Sequence, residues 1–252
     1  MNGNSKQDLA GKSALLTGGT SGIGKATAFA LAARGAHVIV SGRDAGRGSS
    51  VVDNIRRSGG AADFVPENLS DAATARDLVS RAVKTAPQID ILVNNAAIFP
   101  FGPTAEVSEE TFDEVYNVNV KVPFMLVAEL APSMAARGAG AIVNVSSMVA
   151  TFGMNGMALY GSSKAAIELL TKAWAAEFGP RGVRVNAVSP GPTRTEGSAA
   201  MGEGLKQIAS MAPANRAASP DEIAAAIVYL ASDEASFVYG VVLAVDGGRN
   251  AT

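Results

Sequence analysis

Tyr160 and Lys164 stand four residues apart in the stretch Tyr160-Gly161-Ser162-Ser163-Lys164, a spacing that puts both on one face of a helix. A tyrosine hydroxyl with its ordinary pKa of about 10 is poorly matched to proton transfer near neutrality. An ammonium beside it favours the tyrosinate and pulls that value down. Ser147 comes thirteen residues earlier, at the end of a predicted strand, where its hydroxyl can donate to an oxygen that is gaining negative charge. The three together could give a proton to, or take one from, a carbonyl or alcohol oxygen. Taken singly, a Tyr–Lys pair is more often a surface contact, and a serine in this place simply ends a strand. Other chemistries are scarce: the chain has no Cys and a single His, His37. Thiol catalysis, Cys-ligated zinc, His-based triads and clustered His metal sites are thereby excluded, no metal is expected, and His37 reads as structural.

A second signal lies near the start. The apolar run 13–17 leads into Gly18-Gly19-Thr20-Ser21-Gly22-Ile23-Gly24, after which helical spacing begins. Glycines in the first, fifth and seventh places allow a sharp turn, a close approach of backbone amides to a pyrophosphate, and tight packing of helix on strand. The helix N-terminus then presents free N–H groups to phosphates. A tight strand–helix turn without a ligand is the alternative. About twenty residues on, where a carboxylate would bind the ribose 2′-OH of NAD, the sequence reads Val40-Ser41-Gly42-Arg43-Asp44. Arg43 can clasp a 2′-phosphate, and Asp44 is better placed to cap the next helix. NADP(H) is therefore favoured, with NAD(H) possible.

These residues need a scaffold. Short β-branched runs at 13–17, 37–41, 62–66, 89–94, 141–146, 183–189 and 241–246 alternate with helical spacing at 23–34, 111–136, 162–179 and 221–231. Continuous apolar strands between helices predict a buried parallel sheet. The expectation is an α/β, doubly wound, Rossmann-type seven-stranded sheet with helices on both faces, in one domain over 1–252. The segment 192–214 is too long for a plain connection. Its Met201, Leu205, Ile208 and Met211 would share one helical face, and Gly197, Gly202 and Gly204 could serve as joints, so a lid over a pocket mouth is expected; an irregular surface excursion is the alternative. The helix 162–179 is apolar around its circumference, which implies a second burial surface and a homo-oligomer; Trp174 would serve core or interface packing.

Bulk properties agree with an ordinary globular protein: 252 residues, 48% apolar, 17% charged, net charge −2. There is no electrostatic footprint for nucleic acid. The opening stretch 1–12 is polar with no apolar signal core, and no apolar run is long enough to span a membrane; a cytoplasmic protein is expected.

With these residues on view, the chain resembles the short-chain dehydrogenase/reductase family. Residues 17–24, TGGTSGIG, look like its TGxxxGIG cofactor turn, and Asn94-Asn95-Ala96-Ala97 like its NNAG segment. Ser147, Tyr160 and Lys164 match its Ser…YxxxK set, with Asn119 in the place of the fourth catalytic residue. Pro190-Gly191 with Thr195 looks like the turn that closes over the nicotinamide, and Val245-Asp246-Gly247-Gly248 like its C-terminal signature. The match runs from about Leu9 to Gly248, and six motifs in order are very specific.

The resemblance implies cofactor contacts from Gly18, Thr20, Ser21, Gly22, Ile23, Gly24, Arg43, Asn68, Leu69, Asn95, Ala96, Tyr160, Lys164, Pro190, Gly191, Thr193 and Thr195. It implies a substrate wall of Ile98, Phe99, Met148, Met154 and Met201, hence an apolar ketone or secondary alcohol. It gives Asn119 a helix kink and a water leading to Lys164, and it implies a homotetramer. Arg43 is the only basic group expected at the 2′ position, since Ser21 fills the place where relatives often carry Arg or Lys. Ala97 departs from the family's glycine, which matters only if the backbone there needs positive φ; Asn68 replaces its Asp. NAD-linked hydroxysteroid, sugar or β-ketoacyl enzymes are the runners-up, and a non-catalytic NADP-binding sensor is the alternative from another class.

Overall fold

The computed structural model describes residues 7–251; residues 1–6 of the polar opening stretch lie outside them. Seven strands form one sheet: β1 (Ser13–Leu16), β2 (His37–Gly42), β3 (Ala61–Pro66), β4 (Ile91–Asn94), β5 (Gly140–Val145), β6 (Val183–Pro190) and β7 (Val242–Val245). All pair in parallel, in the order β3-β2-β1-β4-β5-β6-β7. The helices are α1 (Gly22–Ala33), α2 (Ala45–Arg57), α3 (Ala72–Thr85), α4 (Glu109–Tyr116), α5 (Val122–Arg137), α6 (Ala158–Phe178), α7 (Glu203–Ser210) and α8 (Pro220–Ala231).

Strand alternation divides the core in two. Ala14, Leu16, Val38, Val40, Ile91 and Val93 face α1, α2 and α8. Leu15, Ile39, Leu92, Ile142 and Val185 face α3, α5 and α6. Burial on both faces explains why these strands read as continuous apolar runs. Helix starts are signalled locally: the Asp44 side chain accepts from the Arg47 N–H to cap α2, Asp71 and Thr74 form a capping box on α3, and Ser219 and Glu222 form another on α8 with Pro220 behind it. His37 is structural, its Nε2 2.7 Å from Asp63 Oδ2 across β2 and β3.

The helix expected over 111–136 is three pieces. Between α4 and α5 the backbone widens into a π turn, Asn117–Lys121. Pro123 follows it and brings no N–H to the ladder. The expected 162–179 helix starts four residues earlier, so Tyr160 lies inside its first turn rather than before it. Among the described residues no helix is long and apolar enough to cross a membrane.

Candidate active site

The loops leaving the C-terminal ends of β1, β2, β4, β5 and β6 open on one cavity of about 490 Å³. It sits where the strand order reverses between β1 and β4, the crevice in which open α/β sheets bind ligands.

The glycine turn forms its floor. Gly18 has φ +63°, and a Cβ on Gly24 would lie 2.1 Å from the Gly18 carbonyl oxygen, so α1 can approach β1 only with glycine there. Asn95 Nδ2 donates to the Thr17 and Gly18 carbonyls at 2.9 and 3.0 Å, and Thr17 Oγ1 accepts from the Asn95 and Ala96 N–H groups. No side chain caps the start of α1 through Ser21, while Thr20, Ser21, Gly22, Ile23 and Gly24 all line the cavity. The Gly22 N–H is taken by the Glu196 carboxylate, while the Ile23 and Gly24 N–H groups have no side-chain acceptor and are the donors an anionic phosphate needs, so this floor fits a dinucleotide.

At the β2 end, Arg43, Asn68 and Leu69 line the same cavity. Among the described residues the Arg43 guanidinium carries no ion pair or hydrogen bond, whereas Asp44 is engaged by Arg47, whose Nε donates at 2.8 Å. Asp44 is thus a cap and an ion-pair partner, as its position suggested. Arg47 also lines the cavity, which corrects the expectation that Arg43 would be the only basic group at this end. It comes from the first turn of α2, one helical turn beyond the strand end that sequence reasoning inspected.

At the opposite end, β5 delivers Ser146 and Ser147 against α6. Lys164 is 3% exposed, donates to the Val145 carbonyl at 2.8 Å and stands 5.7 Å from the Tyr160 ring centroid. One turn on, Glu168 accepts from Ser146 Oγ at 2.7 Å. Tyr160 keeps some surface toward the cavity, yet burial pushes its pKa up to about 12; the Ser147 hydroxyl, hydrogen-bonding to it, pulls the other way. Burial brings Lys164 down to about 8. This differs from the expected depression of Tyr160 by Lys164: with the ammonium directed to Val145, desolvation outweighs charge.

Asn119 stands behind the wall, buried in the π turn. Its Oδ1 accepts from the Ile98 N–H at 2.9 Å, and its Nδ2 donates to the Ile98 carbonyl and to Ser163 Oγ. It therefore ties the β4 loop to α6 without touching the cavity. Pro190, Gly191, Thr193 and Thr195 form the facing wall. Ala97 does not have positive φ, so its departure from glycine is harmless to the backbone.

The remaining wall is apolar: Ile98, Phe99, Met148, Met154 and Met201, joined by Met157, Leu205 and Ile208. The Phe99 and Tyr160 rings meet edge-on at 6.2 Å. The segment 192–214 is part helix but not as expected. Gly202, at φ +50°, ends a short turn over Ala199–Met201 before α7 begins. Met201, Leu205 and Ile208 still reach the cavity, whereas Met211 follows the helix and is exposed, and Ala209 is the buried residue. Sequence reasoning also missed Glu114, Val118 and Met157; the first two come from the α4–π segment, whose broken periodicity hides which face is inward. Among the described residues no cluster of His, Cys, Asp and Glu could hold a metal.

A family model described as enoyl-(acyl carrier protein) reductase matches residues 18–250. An uncharacterised oxidoreductase of Thermotoga maritima is 41% identical over 96% of this chain and 98% of its own length. Cyclopentanol dehydrogenase of a Comamonas species is 36% identical over 95% and 97%. A solved short chain dehydrogenase/reductase family protein superposes with a TM-score of 0.90 at 46% identity, covering 97% of this chain and 100% of that one. A blue fluorescent protein from a metagenomic library, solved in complex with NADPH, gives 0.91 at 34% identity, with 96% and 99% covered.

Proposed function

The chain belongs to the short-chain dehydrogenase/reductase family, oxidoreductases of alcohol and carbonyl groups, and on that premise we propose that it is an NADPH-dependent reductase of apolar ketones. The observation that carries this reading is the cavity itself, with the glycine turn and the start of α1 at one end and Tyr160, Ser147 and Lys164 at the other. The free guanidinium of Arg43, with Arg47 beside it, supports NADP over NAD, since a 2′-phosphate would meet positive charge there. The methionine-rich wall with Phe99 supports an apolar substrate.

When bound, the cofactor supplies the hydride. The protein's share is the oxygen. Ser147 donates a hydrogen bond to the substrate oxygen. Tyr160, protonated at neutral pH, gives up its proton as negative charge develops there. Lys164, with a pKa near 8, retains its charge at neutral pH and stabilises the tyrosinate left behind. Asn119 holds the β4 loop and α6 in register, so that Ile98 and Tyr160 face the same space.

A homotetramer belongs to the same proposal. Phe124, 45% exposed, packs on Trp174 at 5.8 Å, and Leu169 is 69% exposed on α6. Phe124 and Leu169 are each an exposed apolar side chain that a neighbouring copy could cover. The reading is tested by initial rates with NADPH and NADH against a panel of cyclic, aromatic and sugar ketones. It predicts turnover of the apolar members with NADPH preferred; turnover confined to sugar acids, or a preference for NADH, would contradict it.

A further inference from the structure

Glu196 is assigned no role by any of the reasoning above. It follows Thr195 in the loop after β6, and its Oε2 accepts a hydrogen bond from the Gly22 N–H at 2.9 Å. The two residues are 174 positions apart in sequence and belong to opposite walls of the cavity: Gly22 to the turn after β1, Glu196 to the loop after β6. Thr195 and Gly197 line the cavity on either side of it, whereas Glu196 is absent from the lining and largely exposed. Its side chain therefore crosses the cleft on the outside.

A second observation brings the same two walls together. A Cβ on Gly22 would lie 3.1 Å from both Cβ and Cγ2 of Thr195, so the glycine turn and the loop are already in packing contact. Gly22 also has φ +51°, a conformation that glycine adopts freely and a side chain resists. Behind Glu196 the loop is firmly held. Thr195 N–H donates to Ser198 Oγ at 2.9 Å, Ser198 Oγ donates to the Thr193 carbonyl at 2.7 Å, and Arg194 N–H donates to the Ala218 carbonyl at 2.9 Å. The carboxylate is thus presented from a braced turn rather than a loose strand. The positive charges of Lys25 and Arg47 act on it as well, after the hydrogen bonds from its own backbone N–H and from Gly22.

Gly22 still leaves the N–H groups of Ile23 and Gly24 for a phosphate, because only the Gly22 donor is taken up by Glu196. The Ile23 and Gly24 N–H groups would hold a pyrophosphate on the cavity side of α1, with the Glu196–Gly22 bond on the outer side. We propose that Glu196 is a positioning residue for the cofactor: it straps the loop after β6 to the glycine turn across the outside of the cleft and thereby sets how slowly the nicotinamide cofactor leaves. This rests on the reading of the cleft as a dinucleotide site. The strap must open for the cofactor to enter or depart, and its charge-assisted hydrogen bond is stronger than a neutral one would be. Beyond Ser198 the chain runs through Gly202 to α7, so the strap also fixes the anchored end of the lid segment.

The test uses the full chain and NADPH as the probe. Dissociation of NADPH, followed by its fluorescence when it is chased with excess NADP⁺, should be about tenfold faster in Glu196→Ala than in wild type. Glu196→Gln, which keeps an acceptor oxygen but loses the charge, should fall between them. Hydrogen exchange of the Gly22 amide in the NADPH complex should be slow in wild type and fast in Glu196→Ala. Unchanged dissociation rates in both variants, with NADPH binding intact, would overturn the strap and leave the dinucleotide reading standing. Failure of the wild-type protein to bind NADPH or NADH would overturn both.

Discussion

The Lys164 ammonium and the Val145 carbonyl form a 2.8 Å hydrogen bond that joins α6 to the last residue of β5. Ser147 is two residues beyond that anchor and Tyr160 one helical turn before it, so a single contact sets the distance between the two hydroxyl-bearing elements. It also keeps the ammonium 5.7 Å from the phenol ring, near enough to favour the tyrosinate once it forms.

Burial of this pair makes stability depend on pH in opposite senses. Lys164 falls from 10.5 to about 8 in the folded protein, so between about pH 8 and 10.5 the unfolded chain binds more protons and stability rises with pH. Tyr160 rises from 10.0 to about 12, so between about pH 10 and 12 the folded chain binds more protons and stability falls. Denaturant titrations of wild type and Lys164→Met across pH 7–10 should show a rising contribution that the variant lacks. Parallel curves would mean that Lys164 is not desolvated in solution.

Cofactor choice is tested at the β2 end. Loss of a charge-assisted contact to a 2′-phosphate costs about 1.5–3 kcal/mol. Arg43→Ala should therefore raise KM for NADPH by roughly tenfold or more and leave KM for NADH nearly unchanged. Arg47→Ala should have a smaller effect of the same kind, because Arg47 is already partnered by Asp44. Equal effects on both cofactors would remove the 2′-phosphate from this end of the cavity.

The segment 192–214 should respond to ligands. Met201, Leu205 and Ile208 meet the cavity from α7 and the turn before it. Gly202 and Gly204 have open space where a Cβ would stand, so backbone motion there meets little resistance. Amide exchange in this segment should slow markedly when NADP⁺ and a ketone analogue bind together. The same protection with and without ligands would make it a fixed wall.

Oligomer formation is checked on the α5–α6 face. Phe124→Asp with Leu169→Asp places a charge on the exposed apolar surface of each helix, and sedimentation should show a smaller species than wild type. An unchanged size would move any interface elsewhere on the surface.

Much of this architecture was legible in the sequence because its signals are local. The seven apolar runs are strands, those at the centre of the sheet buried on both faces, and the glycine turn needs glycine for steric reasons visible at Gly24. Asp44 caps the helix that its position announces. What was hidden depends on tertiary context. The kink at Asn119 followed from the resemblance alone, while its form as a π turn and the bonds of its amide to Ile98 and Ser163 involve partners that no local pattern predicts. Arg47 reaches the cavity only through the angle at which α2 leaves β2. The raised pKa of Tyr160 reflects how much protein surrounds it, whereas the four-residue spacing to Lys164 revealed only the charge. Met201 fell outside the lid helix because Gly202 turns the chain, an effect that counting an apolar face ignores.

The central claim is that Tyr160 delivers the proton to the substrate oxygen. Its most direct test is single-turnover ketone reduction by Tyr160→Phe, alongside NADPH binding by fluorescence. The account predicts a rate lower by several orders of magnitude with NADPH still bound, since the substitution removes only the hydroxyl. A loss of only a few-fold, with the protein folded and the cofactor bound, would place the proton donor elsewhere.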